Sequence, residues 1–327
     1  MIFRPVARRV LLHLRAALAA GTRPALLMYH RIARESFDPW GLAVTPERFV
    51  RQLEWLVRNR SVLSLEDFAQ RHFDGTLPDA AVALTFDDGY ACALETAGPE
   101  LDRLSLSATV FLPAELIERG QEFWWDDLQR IVIGCPDDVL VLNGERFPLG
   151  AADAADQHWP PGQSPRTSRQ RAYLRLWKRL HGRPDQDIAV AINDLRGQAK
   201  QASKPRSSHR PLSREHFEGF RPAGLSFGAH GLSHASLPTL SGLDLELEIG
   251  ESAARCADLS GKMPRAFAYP FGDHDPNIER LVERAGYLCA CTSRRAAIDK
   301  RSTMFALPRL AIGDWEPAEL RLRLASL

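Results

Sequence analysis

The sequence predicts an α/β fold in which parallel strands alternate with helices around an open sheet or a barrel. Short apolar runs rich in β-forming residues alternate with stretches of helical period along the 327 residues. Most of these runs are too short and too evenly apolar to be half-exposed antiparallel strands. The length suits one large α/β barrel or two modest domains, because barrels exceed the common domain size.

Strands and helices follow one another with clear boundaries. Helix N-caps are predicted at Thr45 and at Ser64, which precede "PERFVRQLEWLV" and "LEDFAQRH". Pro276 opens another helix, which Gly286 closes. The predicted strands are the apolar runs 25–30, 81–86, 108–112, 225–230, 266–270, 288–292 and 306–312.

Residues 114–212 interrupt the alternation, and we interpret them as an insertion into the barrel rather than an independent domain. Asn143-Gly144 between alternating residues predicts a β-hairpin. Two polar helices are predicted at "SRQRAYLRLWKRLHG" and "DIAVAINDLRGQA", followed by the linker-like "SKPRSSHRPLS". The predicted organisation is an N-terminal segment, 1–23, and a barrel over 24–327 that carries this insertion.

Charge and cysteine content exclude several classes of function. The 42 basic and 41 acidic residues give a net charge of +1, which lacks the broad positive field that nucleic-acid binding requires. We therefore expect no nucleic-acid partner. The five cysteines are odd in number and lack CxxC spacing, so we expect neither a disulfide framework nor a thiolate zinc site, and a reducing compartment fits best.

The N-terminal segment "MIFRPVARRVLLHLRAALAAGTRP" starts like a secretory signal. His13 and Arg15 interrupt its apolar run, so we expect no cleavage. Two interpretations remain open: a helix packed on the domain, or a basic amphipathic helix on an anionic membrane face. The sequence contains no run of 18 or more apolar residues, which argues against a membrane-spanning helix. We predict a cytoplasmic protein, with peripheral contact to the inner face of the membrane as the alternative.

The motif "TFDDGY", residues 85–90, follows the second predicted strand. Asp87 and Asp88 therefore lie at the carboxyl edge of the sheet, where α/β folds build their sites. Asp-Gly is also a common turn signal. Adjacent carboxylates repel each other unless a cation or a shared proton relieves them, and a metal would do so.

His230 and His234 follow another strand and are four residues apart, so both imidazoles face one side of a helical turn. Such a pair is either a surface or core feature, or a ligand pair. With an aspartate it forms a two-histidine, one-carboxylate face that suits non-haem iron oxygenases and zinc hydrolases. The second aspartate favours the hydrolase, because a hydrolase needs a base beside the metal.

At this point the chain resembles a known family. "TFDDGY", "HGLSH" and "YPFG" resemble, in order and spacing, the first three motifs of the polysaccharide deacetylases, carbohydrate esterase family four. "MYHRI" and "LPRLAI" are similar to the flanks of the branch that acts on bacterial exopolysaccharides and lipid-linked sugars. The resemblance covers roughly residues 24–113 and 213–315. It implies a deformed (β/α)7-8 barrel and a metal that is usually zinc, Zn²⁺, or another divalent transition metal.

The resemblance also implies roles for the motif residues. Asp88, His230 and His234 would bind the metal, and Asp87 would be the catalytic base. Zinc lowers the pKa of a bound water to about 7, which lets a neighbouring carboxylate take its proton. The backbone N–H of Tyr90, just past a glycine turn, is our candidate for stabilising the oxyanion.

Two departures from the family pattern leave roles to be filled. Ala268 stands where an arginine often orients the base, and Arg309 of "LPRL" either reaches the same place or is a surface charge. No late "LxH" segment supplies the usual general acid. His30, at the end of the first strand, and His274 are the available substitutes, and we favour His30.

Aromatic residues near the motifs suggest how a sugar would be held. Trp124 and Trp125 open the insertion, where they either stack on sugar rings or anchor the insertion, with Asp126 bonding hydroxyls. Phe271 lines either an acyl pocket or the core. The candidate substrate-binding residues are Tyr90, Trp124, Trp125, Asp126, Tyr269, Pro270 and Phe271.

These observations predict a metal-dependent hydrolase that removes an N-acetyl or other small acyl group from an amino sugar. Its partner would be a bacterial surface glycan or a lipid-linked amino-sugar precursor. A deformylase of an N-formyl amino sugar is the alternative within the same chemistry. A catalytically inactive glycan-binding relative is the alternative from another functional class. The alternation of strands and helices disfavours the third alternative, a non-haem iron oxygenase.

Overall fold

The computed structural model describes residues 23–219 and 223–327. The predicted N-terminal helix, 1–23, lies outside the described residues except for Arg23. Among the described helices, none combines the length and the apolar character that crossing a lipid bilayer requires.

Strands and helices alternate over the described residues as the sequence predicts. The strands are β1 Ala25–Tyr29, β2 Arg31–Ile32, β3 Ala43–Val44, β4 Ser61–Leu63, β5 Ala81–Phe86, β6 Ala108–Leu112, β7 Val139–Leu142, β8 Glu145–Pro148, β9 Leu225–Ala229, β10 Ala266–Ala268, β11 Cys289–Cys291 and β12 Arg309–Ala311. The α-helices are α1 Pro46–Asn59, α2 Leu65–Phe73, α3 Cys92–Glu95, α4 Ala97–Arg103, α5 Ala114–Arg119, α6 Trp124–Gly134, α7 Ser168–Leu180, α8 Asp185–Gln198, α9 Arg214–Glu218, α10 Gly242–Ser260, α11 Pro276–Arg284 and α12 Pro317–Ala325.

The main sheet is parallel and nearly closes into a barrel, which confirms the predicted fold class. Its strand order is β11-β10-β9-β6-β5-β1-β12, and β4 pairs with β5. A parallel bridge between Cys291 and Leu307 joins β11 to the segment before β12, which brings the two ends of the sheet together. All seven predicted strands are present, each within its predicted run.

The barrel strands are buried on both faces, as the sequence pattern predicts. Every residue of β1, β5 and β6 is buried. The side chains on one face of each strand pack inside the barrel, and those on the other face pack against helices. Since the strands are parallel, their carboxyl ends meet at one edge. His30, Asp87 and His230, which directly follow β1, β5 and β9, therefore lie at the same end of the barrel.

Helix boundaries agree with the predicted positions, but one predicted cap does not form. The Ser64 side chain accepts a hydrogen bond from the N–H of Asp67 and caps α2. Thr45 precedes α1, yet its hydroxyl donates to Asp314 instead of capping the helix, at 2.8 Å. The prediction of a Thr45 cap was wrong because a tertiary contact outcompetes the local bond.

The insertion has a hydrophobic cluster of its own beside the barrel. Asn143 and Gly144 both have positive φ, 52° and 79°, as a two-residue hairpin turn between β7 and β8 requires. The loop between β2 and β3 adds Phe37 to this cluster. Its buried members on the insertion include Leu128, Ile131, Val132, Leu140, Phe147, Leu176, Ile192 and Leu195.

The predicted linker "SKPRSSHRPLS" is instead packed between insertion and barrel. Arg206 forms an ion pair with the buried carboxylate of Glu122 at 2.8 Å. His209 is buried in a short 3₁₀ helix, and Leu212 joins the core of the barrel. The linker prediction was wrong because it rested on polar composition alone. Composition does not show whether the basic side chains of a segment pair with buried acceptors once the chain is folded.

Arg169→Met should destabilise the protein strongly. The buried Arg169 guanidinium donates to the carbonyls of Val132 and Cys135 at 2.9 and 2.8 Å, at the end of α6. Methionine would leave these acceptors without a donor, so we expect the free energy of unfolding to fall by about 3 kcal/mol. Urea denaturation measures the change.

Arg175→Met is the matched control on the same helix, because Arg175 is exposed and pairs with Glu145 at the surface. Its loss should stay below about 1 kcal/mol. Equal losses in the two variants would contradict the structural role of Arg169.

Candidate active site

A pocket of about 380 Å³ opens at the carboxyl end of the barrel strands. Loops after β1, β5, β9, β10 and β11 and the strand β12 contribute to its lining, and the insertion adds residues from α6 and from the end of α7. Its polar lining includes the predicted residues His30, Asp87, Asp88, His230, His234 and Arg309. Side chains from four distant parts of the sequence thus share one cavity.

The centre of the pocket is a buried ion pair between Asp87 and Arg309. The two guanidinium NH groups of Arg309 donate one to each carboxylate oxygen of Asp87, both at 2.7 Å. Arg309 also donates to the carbonyl of Thr292 at 2.9 Å and to the hydroxyl of Thr85 at 3.1 Å. Arg309 is fully buried, so the surface alternative for this residue does not apply.

This ion pair sets the protonation state of Asp87. Burial acts to raise the pKa of Asp87, but the charge and hydrogen bonds of Arg309, together with His230, outweigh it and hold the pKa below its ordinary value. The carboxylate is therefore ionised at neutral pH. A planar guanidinium bonded to both oxygens also fixes its orientation.

Asp88, His230 and His234 form a compact group of potential metal ligands beside this pair. One ligand atom from each lies within 4.8 Å of the others. The Nε2 atoms of His230 and His234 lie 3.5 and 3.1 Å from Oδ1 of Asp88. His230 Nδ1 lies 2.7 Å from the carbonyl of Ala268, so Nδ1–H donates there and Nε2 is the ring nitrogen next to Asp88.

Two of these three residues have left-handed backbone conformations. Asp88 has φ 69° and His234 has φ 58°. Such a conformation is unusual for a residue with a side chain and costs about 1–2 kcal/mol. The surrounding fold therefore imposes a geometry that brings the two side chains together.

The donor set suits a divalent transition metal. Burial acts to raise the pKa of Asp88, but hydrogen bonds with His230 and His234 outweigh it and hold the pKa well below its ordinary value. Burial lowers the pKa of His234, which favours the neutral ring that a metal requires. His234 Nδ1 is buried without a hydrogen-bond partner among the described residues. One carboxylate and two imidazoles fit zinc or a related metal with open positions.

Glu248 of α10 fixes the turn between the two histidines. Its carboxylate accepts hydrogen bonds from the Leu232 N–H at 2.7 Å and from the hydroxyl of Ser233. Gly231, with φ 73°, lies so close that a Cβ there would meet Glu248 at 2.8 Å. The sequence contained no signal for Glu248, because it lies on a distant helix.

The two candidates for the general acid have different positions. His30 lines the pocket at the end of β1. His274 is not part of the lining: its ring stacks on Tyr269 at 4.8 Å, and its Nδ1 lies 2.8 Å from the carbonyl of Gly272. Only His30 is therefore placed for a role at the site.

The predicted substrate-binding residues divide into two groups. Trp125, Tyr269 and Phe271 line the pocket. Tyr90, Trp124, Asp126 and Pro270 do not. Trp124 packs edge-on against Trp125 at 5.6 Å, within the insertion.

Tyr90 and Asp126 instead form a buried polar network behind Trp125. The hydroxyl of Tyr90 donates to Asp126 at 2.6 Å and accepts from Trp125 Nε1 at 3.0 Å. Arg31 lies 3.5 Å from Asp126. Asp126 is thus occupied within the protein, while the backbone N–H of Tyr90 makes no hydrogen bond to the described residues. Trp125 is fixed 4.9 Å from the ring of His234.

Several pocket residues had no signal in the sequence. They come from the loop between β2 and β3, from α7 and the residue after it, and from the segments after β10 and β11. They include Trp40, Trp177, His181, Asp273 and Ser293. The isolated aromatic and polar residues of an insertion or loop show no period or motif, so only tertiary packing brings them to the pocket.

Asp126→Asn should change how stability depends on pH. Burial raises the pKa of Asp126 from 3.8 to about 6, although Arg31 and Tyr90 act to lower it. The pKa of Asp126 is higher in the folded protein than in the unfolded chain. The protonated Asp126 therefore contributes its full stabilisation below pH 3.8, and this contribution is lost as the pH rises through about 6. The stability of wild type relative to the variant should fall by about 3 kcal/mol across this window.

Urea denaturation of both proteins at several pH values across the window measures this difference. A difference that stays constant with pH would show that Asp126 has an ordinary pKa in the folded protein.

Solved structures share this fold. The Streptococcus pyogenes deacetylase PplD in complex with acetate aligns with a TM-score of 0.61 and 18% identity, over 92% of this chain and 98% of that chain. A polysaccharide deacetylase from Bacillus cereus aligns with a TM-score of 0.52 and 17% identity, over 92% of this chain and 69% of that chain. At these identities, the similarity concerns the fold.

A polysaccharide deacetylase family model matches residues 200–290. The matched range includes both histidines and "YPFG", and the first motif with Asp87 and Asp88 lies outside it. No curated protein sequence matches the chain. Together with the motif order and the barrel fold, this match over part of the chain shows that the protein is similar to the polysaccharide deacetylase family.

Proposed function

We propose that this protein is a metal-dependent hydrolase that removes an N-acetyl or other small acyl group from an amino sugar. The observation that carries the proposal is the ionised Asp87, bonded to Arg309 and adjacent to the Asp88, His230 and His234 group. A carboxylate held next to three ligands with open positions suits the hydrolysis of an acyl bond.

Asp88, His230 and His234 would hold the metal. When bound, a divalent cation supplies Lewis-acid activation of a water and of the acyl carbonyl. Asp87 is the proposed base: each of its oxygens accepts one hydrogen bond from Arg309 and keeps a lone pair for a proton. Arg309 keeps Asp87 ionised and oriented, which is the role of the arginine that Ala268 replaces.

His30 is the proposed general acid. It lines the pocket and carries a side chain that can donate a proton to the departing amine. The backbone N–H of Tyr90, which makes no hydrogen bond to the described residues, is the proposed donor to the oxyanion. Trp125, Tyr269 and Phe271 would contact the sugar or its acyl group from the pocket wall.

The proposed substrate is a bacterial surface polysaccharide or its lipid-linked precursor. A pocket of about 380 Å³ suits a small ligand portion such as one acylated sugar. A cytoplasmic location with membrane contact through residues 1–23 would suit the lipid-linked precursor. Deformylation is the same reaction with a smaller acyl group, and the released acid identifies which one occurs.

Asp88→Ala and Asp87→Asn should separate metal binding from proton transfer. Asp88→Ala removes a ligand, so we expect loss of both metal and turnover. Asp87→Asn keeps the ligands but removes the base, so we expect metal to remain and turnover to fall about 10²- to 10⁴-fold. Elemental analysis gives the metal content, and release of acetate or formate from N-acyl amino sugars gives the turnover.

Near-normal turnover in Asp87→Asn would remove the base assignment. Absence of metal from wild-type protein, with no acid released from any sugar, would contradict the proposed function. Metal without turnover would favour the inactive glycan-binding alternative.

Arg309→Met should lower turnover more than metal content. The variant leaves Asp87 buried without its partner, while the three proposed ligands remain. Arg309→Lys keeps the charge but loses the two parallel hydrogen bonds, so it should recover part of the turnover. An unchanged rate in Arg309→Met, at unchanged metal content, would exclude a positioning role.

A further inference from the structure

Trp40 is an exposed tryptophan at the pocket. It lies on the loop between β2 and β3, lines the pocket and keeps 41% of its surface exposed. The other large hydrophobic residues that are exposed in the described part of the chain do not line this pocket. A large apolar side chain that remains in water beside a site is a candidate contact for a ligand.

Two contacts fix the Trp40 indole. Its ring packs against Trp177 with centroids 4.6 Å apart and planes at 39°. Its Nε1–H donates to the hydroxyl of Tyr173 at 3.1 Å. The indole is therefore oriented before any ligand arrives, and because its N–H is already occupied, what it offers a ligand is its apolar ring surface.

Trp40 is the outer end of an aromatic wall formed by Trp40, Trp177, His181 and Phe271. Trp177 stacks on His181 at 4.6 Å, and His181 meets Phe271 edge-on at 4.5 Å. Phe271 in turn lies 4.5 Å from the ring of His234, a proposed metal ligand. The wall thus runs from the exposed indole to the proposed reaction centre.

We propose that Trp40 binds a second sugar ring, next to the sugar whose acyl group is removed. The inference rests on the proposed function and names its substrate class: an N-acyl amino-sugar oligosaccharide of at least two units. Trp177 and Phe271 lie between Trp40 and His234 along the wall, so the two ends of the wall would contact different parts of a ligand. One face of a pyranose carries mainly C–H groups, which pack on a flat indole while the hydroxyls stay in water.

Calorimetric binding to the Asp87→Asn variant tests this without turnover. The ligands are N-acetylglucosamine and its β-1,4- and β-1,6-linked disaccharides. We expect a disaccharide to bind more tightly than the monosaccharide. Adding Trp40→Ala should weaken disaccharide binding roughly 2- to 12-fold, the range of one aromatic contact, and change monosaccharide binding much less.

Phe73→Ala is the matched control, because Phe73 is an aromatic residue with 72% exposure that does not line the pocket. It should change neither affinity. Trp40→Tyr keeps a flat ring and should recover part of the disaccharide affinity. Tyr173→Phe removes only the hydroxyl that fixes the indole, so its effect should be smaller than that of Trp40→Ala.

The proposal would be overturned if Trp40→Ala weakened the binding of the monosaccharide and of the disaccharide equally. It would also be overturned if the Asp87→Asn protein with Trp40 intact bound the monosaccharide and the disaccharide equally tightly. Octyl N-acetylglucosaminide distinguishes a lipid chain from a sugar: a Trp40-dependent gain with this ligand and not with a disaccharide would also overturn it. Failure of the proposed function has a different signature. No acid would be released by wild-type protein, while Trp40-dependent disaccharide binding would persist.

Discussion

The buried ion pair between Asp87 and Arg309 is the interaction around which the site is organised. Both groups are removed from water, and an unpaired charge there would be strongly unfavourable, so each requires the other. The pair joins the end of β5 to β12, which are not neighbours in the sheet because β1 lies between them. The pairing of both strands with β1 therefore brings the arginine near the aspartate, and the arginine keeps that aspartate ionised beside the three potential ligands.

The insertion completes the pocket that the barrel begins. The barrel supplies the charged residues, and the insertion supplies Trp125, Trp177 and His181. A buried polar contact holds the insertion in place, because Tyr90 of the barrel donates a hydrogen bond to Asp126. The residues proposed for chemistry thus lie at rigid strand ends of the barrel. Much of the aromatic surface of the pocket comes from the insertion, which the barrel does not need in order to close.

Much of the fold could be predicted from the sequence, because the signals are local. The strand runs, the helix starts and the Asn143-Gly144 turn each depend on neighbouring residues. The prediction failed where a distant partner decided the outcome. Thr45 bonds Asp314 rather than its own helix, and Arg206 and His209 pack in a segment whose composition resembles a linker.

The sequence by itself determined the α/β barrel and the identity of the candidate site residues Asp87, Asp88, His230 and His234. Each of these residues follows a strand, and the carboxyl ends of parallel strands must meet. Only the tertiary structure decided that Arg309 is buried against Asp87, that Asp126 bonds Tyr90 rather than facing the pocket, and that Trp40 stands at its mouth. These outcomes depend on which distant side chains satisfy one another's charge and hydrogen bonds when water is excluded, and no local pattern encodes that choice.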